Sequence, residues 1–177
     1  MSRLTVTKKK GKFGYKDESG EIVVPLKYDF ADGFRYGTAC VRVGFGGDRR
    51  YGLIDETGKE VVPPQYEEME DLQEGLRQVQ KAGKWGYIDA SGKVIIDLAF
   101  DQATEFIGGL ANVKIGTQWG MIDKSGAYKK RLTEMTDGDA THLLVERIRA
   151  QPLTLSAKLS RPFHKYGHVF RYHAAVA

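Results

Sequence analysis

The chain of 177 residues carries 27 Lys or Arg and 23 Asp or Glu, and 41% of its residues are hydrophobic. This balance is typical of a folded protein and excludes wholesale disorder. A signal peptide and an apolar stretch long enough to span a bilayer are both missing, and the single cysteine, Cys40, excludes an intramolecular disulfide framework. We therefore expect a cytoplasmic protein that does not bind membranes.

An aromatic–glycine pair occurs four times, each time followed by Asp-x-x-Gly. The pairs are Phe13-Gly14, Tyr51-Gly52, Trp85-Gly86 and Trp119-Gly120, and their glycines are spaced 38, 34 and 34 residues apart. A fixed period of this size indicates a repeat architecture, which builds an extended surface rather than one catalytic pocket.

The Asp-x-x-Gly segments predict β-hairpin turns. An Asp carboxylate can accept a hydrogen bond from the N–H two residues on, and Gly supplies the left-handed backbone that follows a type I turn. Calcium binding is the alternative, but each repeat supplies one such carboxylate and a calcium site needs several. We therefore predict a structural role and no metal site for Asp17, Gly20, Asp55, Gly58, Asp89, Gly92, Asp123 and Gly126.

Each turn leads into an apolar exit strand, such as Val94-Ile95-Ile96. Pro25, Pro63 and Pro64 follow the first two exit strands and are expected to end their pairing. An irregular link then carries an aromatic residue followed by an acid, and a further strand returns to the next aromatic–glycine pair. The sequence thus predicts a mainly β fold, an open array of four three-stranded antiparallel meander repeats, because units of this length are short for propeller blades.

Seven aromatic residues recur at two positions of the unit. They can form a ladder that stacks sugars or bases, or they can pack between neighbouring units, since a repeat cannot bury its own face alone. We predict the second role, an inter-repeat aromatic core, for Phe13, Tyr51, Trp85, Trp119, Tyr28, Tyr66 and Phe100.

The run from Gly83 to Ile95, with Gly109-Leu110-Ala111 and Trp119-Gly120, resembles the bacterial WG (KWG) repeat over residues of about 4–126. The first two repeats depart from it by having Phe13 and Tyr51 in place of Trp. The resemblance implies a β-rich array used as an interaction scaffold, with no cofactor and no catalytic residue.

The C-terminal part differs in charge from the repeats. Residues 1–126 have 18 basic and 19 acidic residues, whereas residues 127–177 have nine basic and four acidic residues and all four histidines. We therefore predict two domains, a repeat array over 1–126 and a basic C-terminal cap or appendage over 127–177, with a short helix and a β-hairpin. His164 and His168 are a weak zinc candidate, since no CxxC accompanies them.

Two regions are candidates for partner binding. The loop from Gly44 to Arg50 is longer than its counterparts, and it predicts a protein-binding site at Phe45, Arg49 and Arg50, unless it is an idle solvated loop. The basic C-terminal segment could bind nucleic acid through Arg147, Arg149, Lys158, Arg161, Lys165 and Arg171. We thus predict a non-enzymatic protein-interaction scaffold or adaptor, with nucleic-acid binding as the alternative.

Overall fold

The computed structural model describes residues 3–132. The predicted C-terminal helix and hairpin, the four histidines and the basic residues from Arg147 to Arg171 lie outside the described residues. Within 3–132 the chain forms fifteen β-strands and one 3-10 turn, Gly46–Asp48. In this part of the chain no helix is long and apolar enough to cross a membrane.

The strands form four antiparallel sheets in which neighbours in the chain are neighbours in space. Sheet 1 contains β1 (Thr5–Lys9), β2 (Lys12–Lys16) and β3 (Ile22–Tyr28). Sheet 2 contains β4 (Phe30–Ala31), β5 (Thr38–Val43), β6 (Arg50–Asp55) and β7 (Glu60–Tyr66). Sheet 3 contains β8 (Glu68–Gln73), β9 (Leu76–Lys81), β10 (Lys84–Asp89) and β11 (Val94–Phe100). Sheet 4 contains β12 (Gln102–Ala103), β13 (Leu110–Ile115), β14 (Gln118–Asp123) and β15 (Tyr128–Leu132).

The predicted mainly β fold of repeated antiparallel meanders is confirmed. The structure adds one strand to three of the four units, because the link after each aromatic residue pairs with the following strand as β4, β8 or β12. The fourth sheet is completed by β15, so the repeat architecture continues to Leu132, past the boundary at residue 126.

In sheets 1, 2 and 3 the glycine of the aromatic–glycine pair lies opposite a β-bulge. In sheet 3, Trp85 pairs with Phe100 and Tyr87 pairs with Ile96, so three residues of β11 face Gly86. A Cβ atom on Gly86 would lie 2.7 Å from the carbonyl oxygen of Ile96, which is closer than a side chain can approach. The bulge therefore requires glycine at this position.

The prediction that the prolines end the exit strands is wrong. Pro25 lies inside β3, and Pro63 and Pro64 lie inside β7. All three occupy the bulged segments, where no paired residue is opposite them and the missing N–H group breaks no ladder hydrogen bond. The exit strands thus continue through the prolines to the next aromatic residue.

The hydrophobic core lies between successive sheets. Residues of sheet 3 such as Trp85, Tyr87 and Phe100 pack against Val113 and Ile122 of sheet 4. Two equivalent clusters join sheet 1 to sheet 2 and sheet 2 to sheet 3. Each sheet thus buries one face on its neighbour, which is how a unit too small to have its own core becomes stable in an array.

Candidate partner-binding surface

The aspartates of the four repeats form the hairpin turns between the aromatic–glycine strand and the exit strand. In sheet 3, Asp89 Oδ1 accepts hydrogen bonds from the Ser91 N–H (2.9 Å), the Ser91 hydroxyl (2.6 Å) and the Lys93 N–H (3.0 Å). The hydrogen bond from the Ser91 hydroxyl lowers the pKa of Asp89. The same bonds recur around Asp17, Asp55 and Asp123.

These aspartates lie in separate turns. In residues 3–132, no group of three or more His, Cys, Asp or Glu side chains is arranged to hold a metal ion. Each repeat carboxylate instead binds the N–H groups of its own turn, and the glycine three residues later donates back to the Asp carbonyl oxygen, at 3.1 Å from Gly92 N to Asp89 O.

The seven aromatic residues lie mostly in the interior. Cross-strand pairs join Phe13 to Tyr28, Tyr51 to Tyr66 and Trp85 to Phe100. Phe13 is half-buried, and the buried members are Tyr28, Tyr51, Tyr66, Trp85, Phe100 and Trp119. Rings with so little exposed area are not available as a platform for stacking sugars or bases.

A second set of carboxylates binds the hairpins that come just before the aromatic–glycine pairs, at the other end of the strands. The sequence analysis missed this role. Asp29 Oδ2 accepts from the Gly44 N–H at 2.9 Å, and Glu67 accepts from the N–H groups of Ala82 and Gly83. Asp101 does the same in sheet 4. The signal was present in the sequence, because an acid directly follows the link aromatic in three units.

The hairpin between β5 and β6 differs from its three counterparts. The other hairpins close with two residues, at 10–11, 82–83 and 116–117, whereas this one uses the six residues 44–49 and contains the 3-10 turn. Phe45 projects from this loop with 68% of its surface exposed. The loop is therefore an insertion into an otherwise regular array, with an aromatic side chain in solvent.

The two predicted loop arginines are engaged within the protein. Arg49 forms an ion pair with Glu68 of sheet 3, and the hydrogen bond from this pair raises the pKa of Arg49. Arg50 Nη1 donates to the carbonyl oxygens of Gly47 (3.1 Å) and Arg49 (2.7 Å). These bonds hold the loop against the array and leave Phe45 as its exposed aromatic side chain.

Arg42 on β5 is a residue that the sequence analysis did not identify. The centre of its guanidinium lies 5.6 Å from the ring centroid of Phe45, 5.8 Å from that of Phe30 and 5.9 Å from that of Tyr51. These distances are typical of cation–π contacts. In residues 3–132 the Arg42 side chain forms no hydrogen bond or ion pair, and its Nε is buried without a partner. Its charge nevertheless acts on Asp29, whose pKa is lowered first by the hydrogen bond from Lys12 and also by the charge of Arg42.

The position of Arg42 is repeated in the array. The residue that faces the aromatic of each aromatic–glycine pair is Lys8, Arg42, Gln80 or Lys114. The Lys8 and Lys114 ammonium groups lie 4.7 Å and 5.4 Å from the ring centroids of Phe13 and Trp119. A basic residue at this position in three of the four units was the available sequence signal.

The family model for the WG containing repeat matches residues 13–44, 51–85 and 85–116. Together these ranges cover more than half of the chain. The chain belongs to the WG-repeat family. No curated protein matches it. The WG match assigns the repeat architecture described above and names no activity.

The two ends of the WG array have opposite charge. The hairpins before the aromatic–glycine pairs meet at one end, here named the basic end, and have ten basic residues and one acidic residue in segments 8–12, 42–50, 81–84 and 114–118. The hairpins after those pairs form the acidic end, with seven acidic residues and three lysines in segments 17–21, 55–59, 89–93 and 123–127. The 44–49 loop thus lies at the basic end.

Proposed function

We propose that this WG-repeat protein is a non-enzymatic interaction module that binds another protein at the 44–49 loop. The observation that carries the proposal is the exposure of Phe45 on a loop four residues longer than its counterparts. The strands can be joined by two residues, as they are at 82–83, so the added length is not needed for the fold. Exposed aromatic residues beside arginines are favoured anchors at interfaces.

The loop is held in place before any partner arrives. Asp29 accepts from the Gly44 N–H, and the ion pair of Arg49 with Glu68 joins the loop to the next sheet. A binding surface that is already ordered loses less conformational entropy on association than a flexible one. The rest of the array serves as the scaffold that positions this loop.

The proposal is tested with the full chain and one matched variant. In the variant, residues 44–49 are replaced by Ala-Gly, the turn that sheet 3 uses at 82–83. Proteins captured from native cell extract by the wild type are identified and purified, and their affinity for both forms is measured by calorimetry. A partner that binds the wild type and not the variant supports the proposal. Partners that bind both forms equally place the interface elsewhere and refute it.

The alternative function, nucleic-acid binding, rests on the surplus of basic residues in 127–177. It predicts binding of a labelled oligonucleotide that weakens steeply as salt rises. Substitution by Gln, in the full chain, of Arg147, Arg149, Lys158, Arg161, Lys165 and Arg171 should then abolish that binding. Salt-dependent binding that survives these substitutions would exclude this segment as the site.

A further inference from the structure

The Arg42 guanidinium is ordered by aromatic rings yet lacks hydrogen-bond acceptors. A guanidinium has five N–H donors, and a buried donor without a partner costs free energy. Only Nε among the Arg42 nitrogens is both buried and unpaired, and the residue as a whole is half-buried, so the Nη side still reaches solvent. An acceptor brought by a partner molecule would meet donors that are already in position.

The Arg42 arrangement is specific to sheet 2. The equivalent position holds Gln80 in sheet 3 and lysines in the other two sheets, so the planar donor fork occurs once. Arginine differs from lysine in that its fork matches the two oxygens of a carboxylate. The same sheet carries the long loop, which brings the Phe45 ring to 5.6 Å from this guanidinium. Two unusual features of one repeat thus meet at one place.

We propose that Arg42 and Phe45 together bind an acidic segment of a protein partner. The Arg42 Nη atoms donate to a carboxylate of the partner, and an apolar side chain next to that carboxylate packs on the exposed Phe45 ring. The inference rests on the proposed function, because it names the chemistry of the partner for the same loop. The basic end supplies the complementary charge, with Lys8, Lys9 and Lys10 in the neighbouring sheet.

The surroundings of Arg42 favour an acidic protein segment over a nucleic acid. Asp29 and Glu68 lie at the same end, paired with Lys12 and Arg49. These ion pairs neutralise cations that a phosphate backbone would need, and the carboxylates repel a continuous row of phosphates. A single carboxylate of a protein segment can bind to the Arg42 guanidinium without a continuous row of cations beside it.

The probe is a short fluorescein-labelled peptide of alternating Glu and Leu, with the full chain as receptor and fluorescence anisotropy as readout. A second peptide replaces each Glu by Gln, and a labelled oligothymidine of matched length serves as the nucleic-acid probe. The receptor variants are Arg42→Gln, Arg42→Lys and Phe45→Ala. Arg35→Gln is the matched control, because Arg35 is an exposed arginine beside the turn that joins β4 and β5, at the acidic end.

We expect the Glu peptide to bind the wild type and the Gln peptide to bind at least about ten-fold more weakly, as expected for loss of charge-assisted hydrogen bonds. Arg42→Gln should weaken the affinity for the Glu peptide by a similar factor. Arg42→Lys should weaken it by less, because lysine keeps the charge and loses only the planar fork. Phe45→Ala should weaken the binding of both peptides. Arg35→Gln should change nothing.

Several results would overturn the inference. These are equal binding of the two peptides, an unchanged affinity in both Arg42 variants, tighter binding of oligothymidine than of the Glu peptide, or no binding of the Glu peptide. The two-peptide comparison uses the wild type, so it decides the matter even if Arg42→Gln unfolds. If a captured partner needs the 44–49 loop while Arg42 proves irrelevant, this inference fails and the proposed function stands. If no partner needs the loop, the proposed function fails first.

Discussion

Sheet 1 and sheet 3 share the same three-strand meander but differ on the face that looks toward the N-terminus. In sheet 3, Val79 and Ile88 are fully buried and pack into the core shared with sheet 2. The equivalent residues of sheet 1 are Thr7 and Lys16, and Lys16 is exposed. No described sheet precedes sheet 1. Within residues 3–132 this face of sheet 1 therefore has polar residues where the same face of sheet 3 has buried apolar ones.

The turn glycines show the same difference. Gly20 and Gly92 both have φ of +89°, a backbone conformation that favours glycine. A Cβ atom on Gly92 would lie 2.2 Å from Cγ2 of Val62 in sheet 2, whereas a Cβ on Gly20 would meet nothing within 4 Å. In sheet 3 this position is thus restricted both by its left-handed backbone and by the neighbouring sheet, whereas in sheet 1 it is restricted by the backbone alone. A repeat motif combines requirements of its own sheet with requirements of its neighbour.

The largest expected difference between the two sheets comes from exchanging the residue types at the equivalent positions Ile88 and Lys16. We expect Ile88→Lys to lower the free energy of unfolding by about 3–4 kcal/mol, because it places an unpaired charge in the core between sheets. Lys16→Ile should change it by less than about 0.5 kcal/mol. Urea denaturation of the full chain measures both. Similar losses in the two variants would show that the Lys16 side chain is not exposed to solvent.

The turn glycines give the next largest effect. Gly92→Ala should cost about 2–4 kcal/mol, from the left-handed backbone and from overlap with Val62, whereas Gly20→Ala should cost about 1 kcal/mol from the backbone alone. Thermal unfolding of both variants tests the difference. Adding Val62→Ala to Gly92→Ala should recover part of the lost free energy relative to the sum of the single changes. Purely additive effects would contradict the contact between the two sheets.

Most of the fold could be predicted because the signals are local. An Asp-x-x-Gly turn between apolar segments determines its own hairpin, and the period determines how many hairpins there are. The strand β4 escaped prediction because its two residues pair only through β5, which comes seven residues later. The prolines were misread for a related reason, since a bulge opposite Gly14 or Gly52 is defined by the partner strand.

The candidate site was less accessible to sequence analysis. The length of the 44–49 loop indicated that Phe45 lies in a loop, and partner binding there stays a prediction. Arg49 is paired with Glu68 through a contact between sheets, which no local pattern indicates. Arg42 was missed because its importance arises only when Phe30, Phe45 and Tyr51 surround it.

A smaller effect is expected at the turn carboxylates. Asp89→Ala should cost about 0.5–1.5 kcal/mol at neutral pH through the lost side-chain hydrogen bonds, and Asp89→Asn should cost less because an acceptor oxygen remains. The hydrogen bond from Ser91 lowers the pKa of Asp89 in the folded state, so the folded state binds fewer protons than the unfolded state in mild acid. This contribution is fully present above the ordinary Asp pKa of about 3.9 and is lost as the pH falls through the lowered value.

The pH dependence of unfolding checks that sign. The stability gap between the wild type and Asp89→Ala should be constant from neutral pH to about pH 5 and should shrink on further acidification. A gap that widens in acid would mean that the carboxylate is stabilised in its protonated form. The wild type should also lose stability below about pH 4, since all four repeat aspartates have a lowered pKa.

The smallest effect on stability is expected from the 44–49 loop, where sheet 2 differs most from the other three sheets. Replacing residues 44–49 by Ala-Gly removes the ion pair of Arg49 with Glu68, a partly exposed contact worth about 0–1 kcal/mol. The new turn keeps a backbone N–H group that can donate a hydrogen bond to Asp29, as those of Ala82 and Gly83 donate to Glu67. Urea denaturation should therefore show little change, while partner binding is lost. A loss above about 2 kcal/mol would instead make the loop part of the fold, and the added residues would then need no partner to explain them.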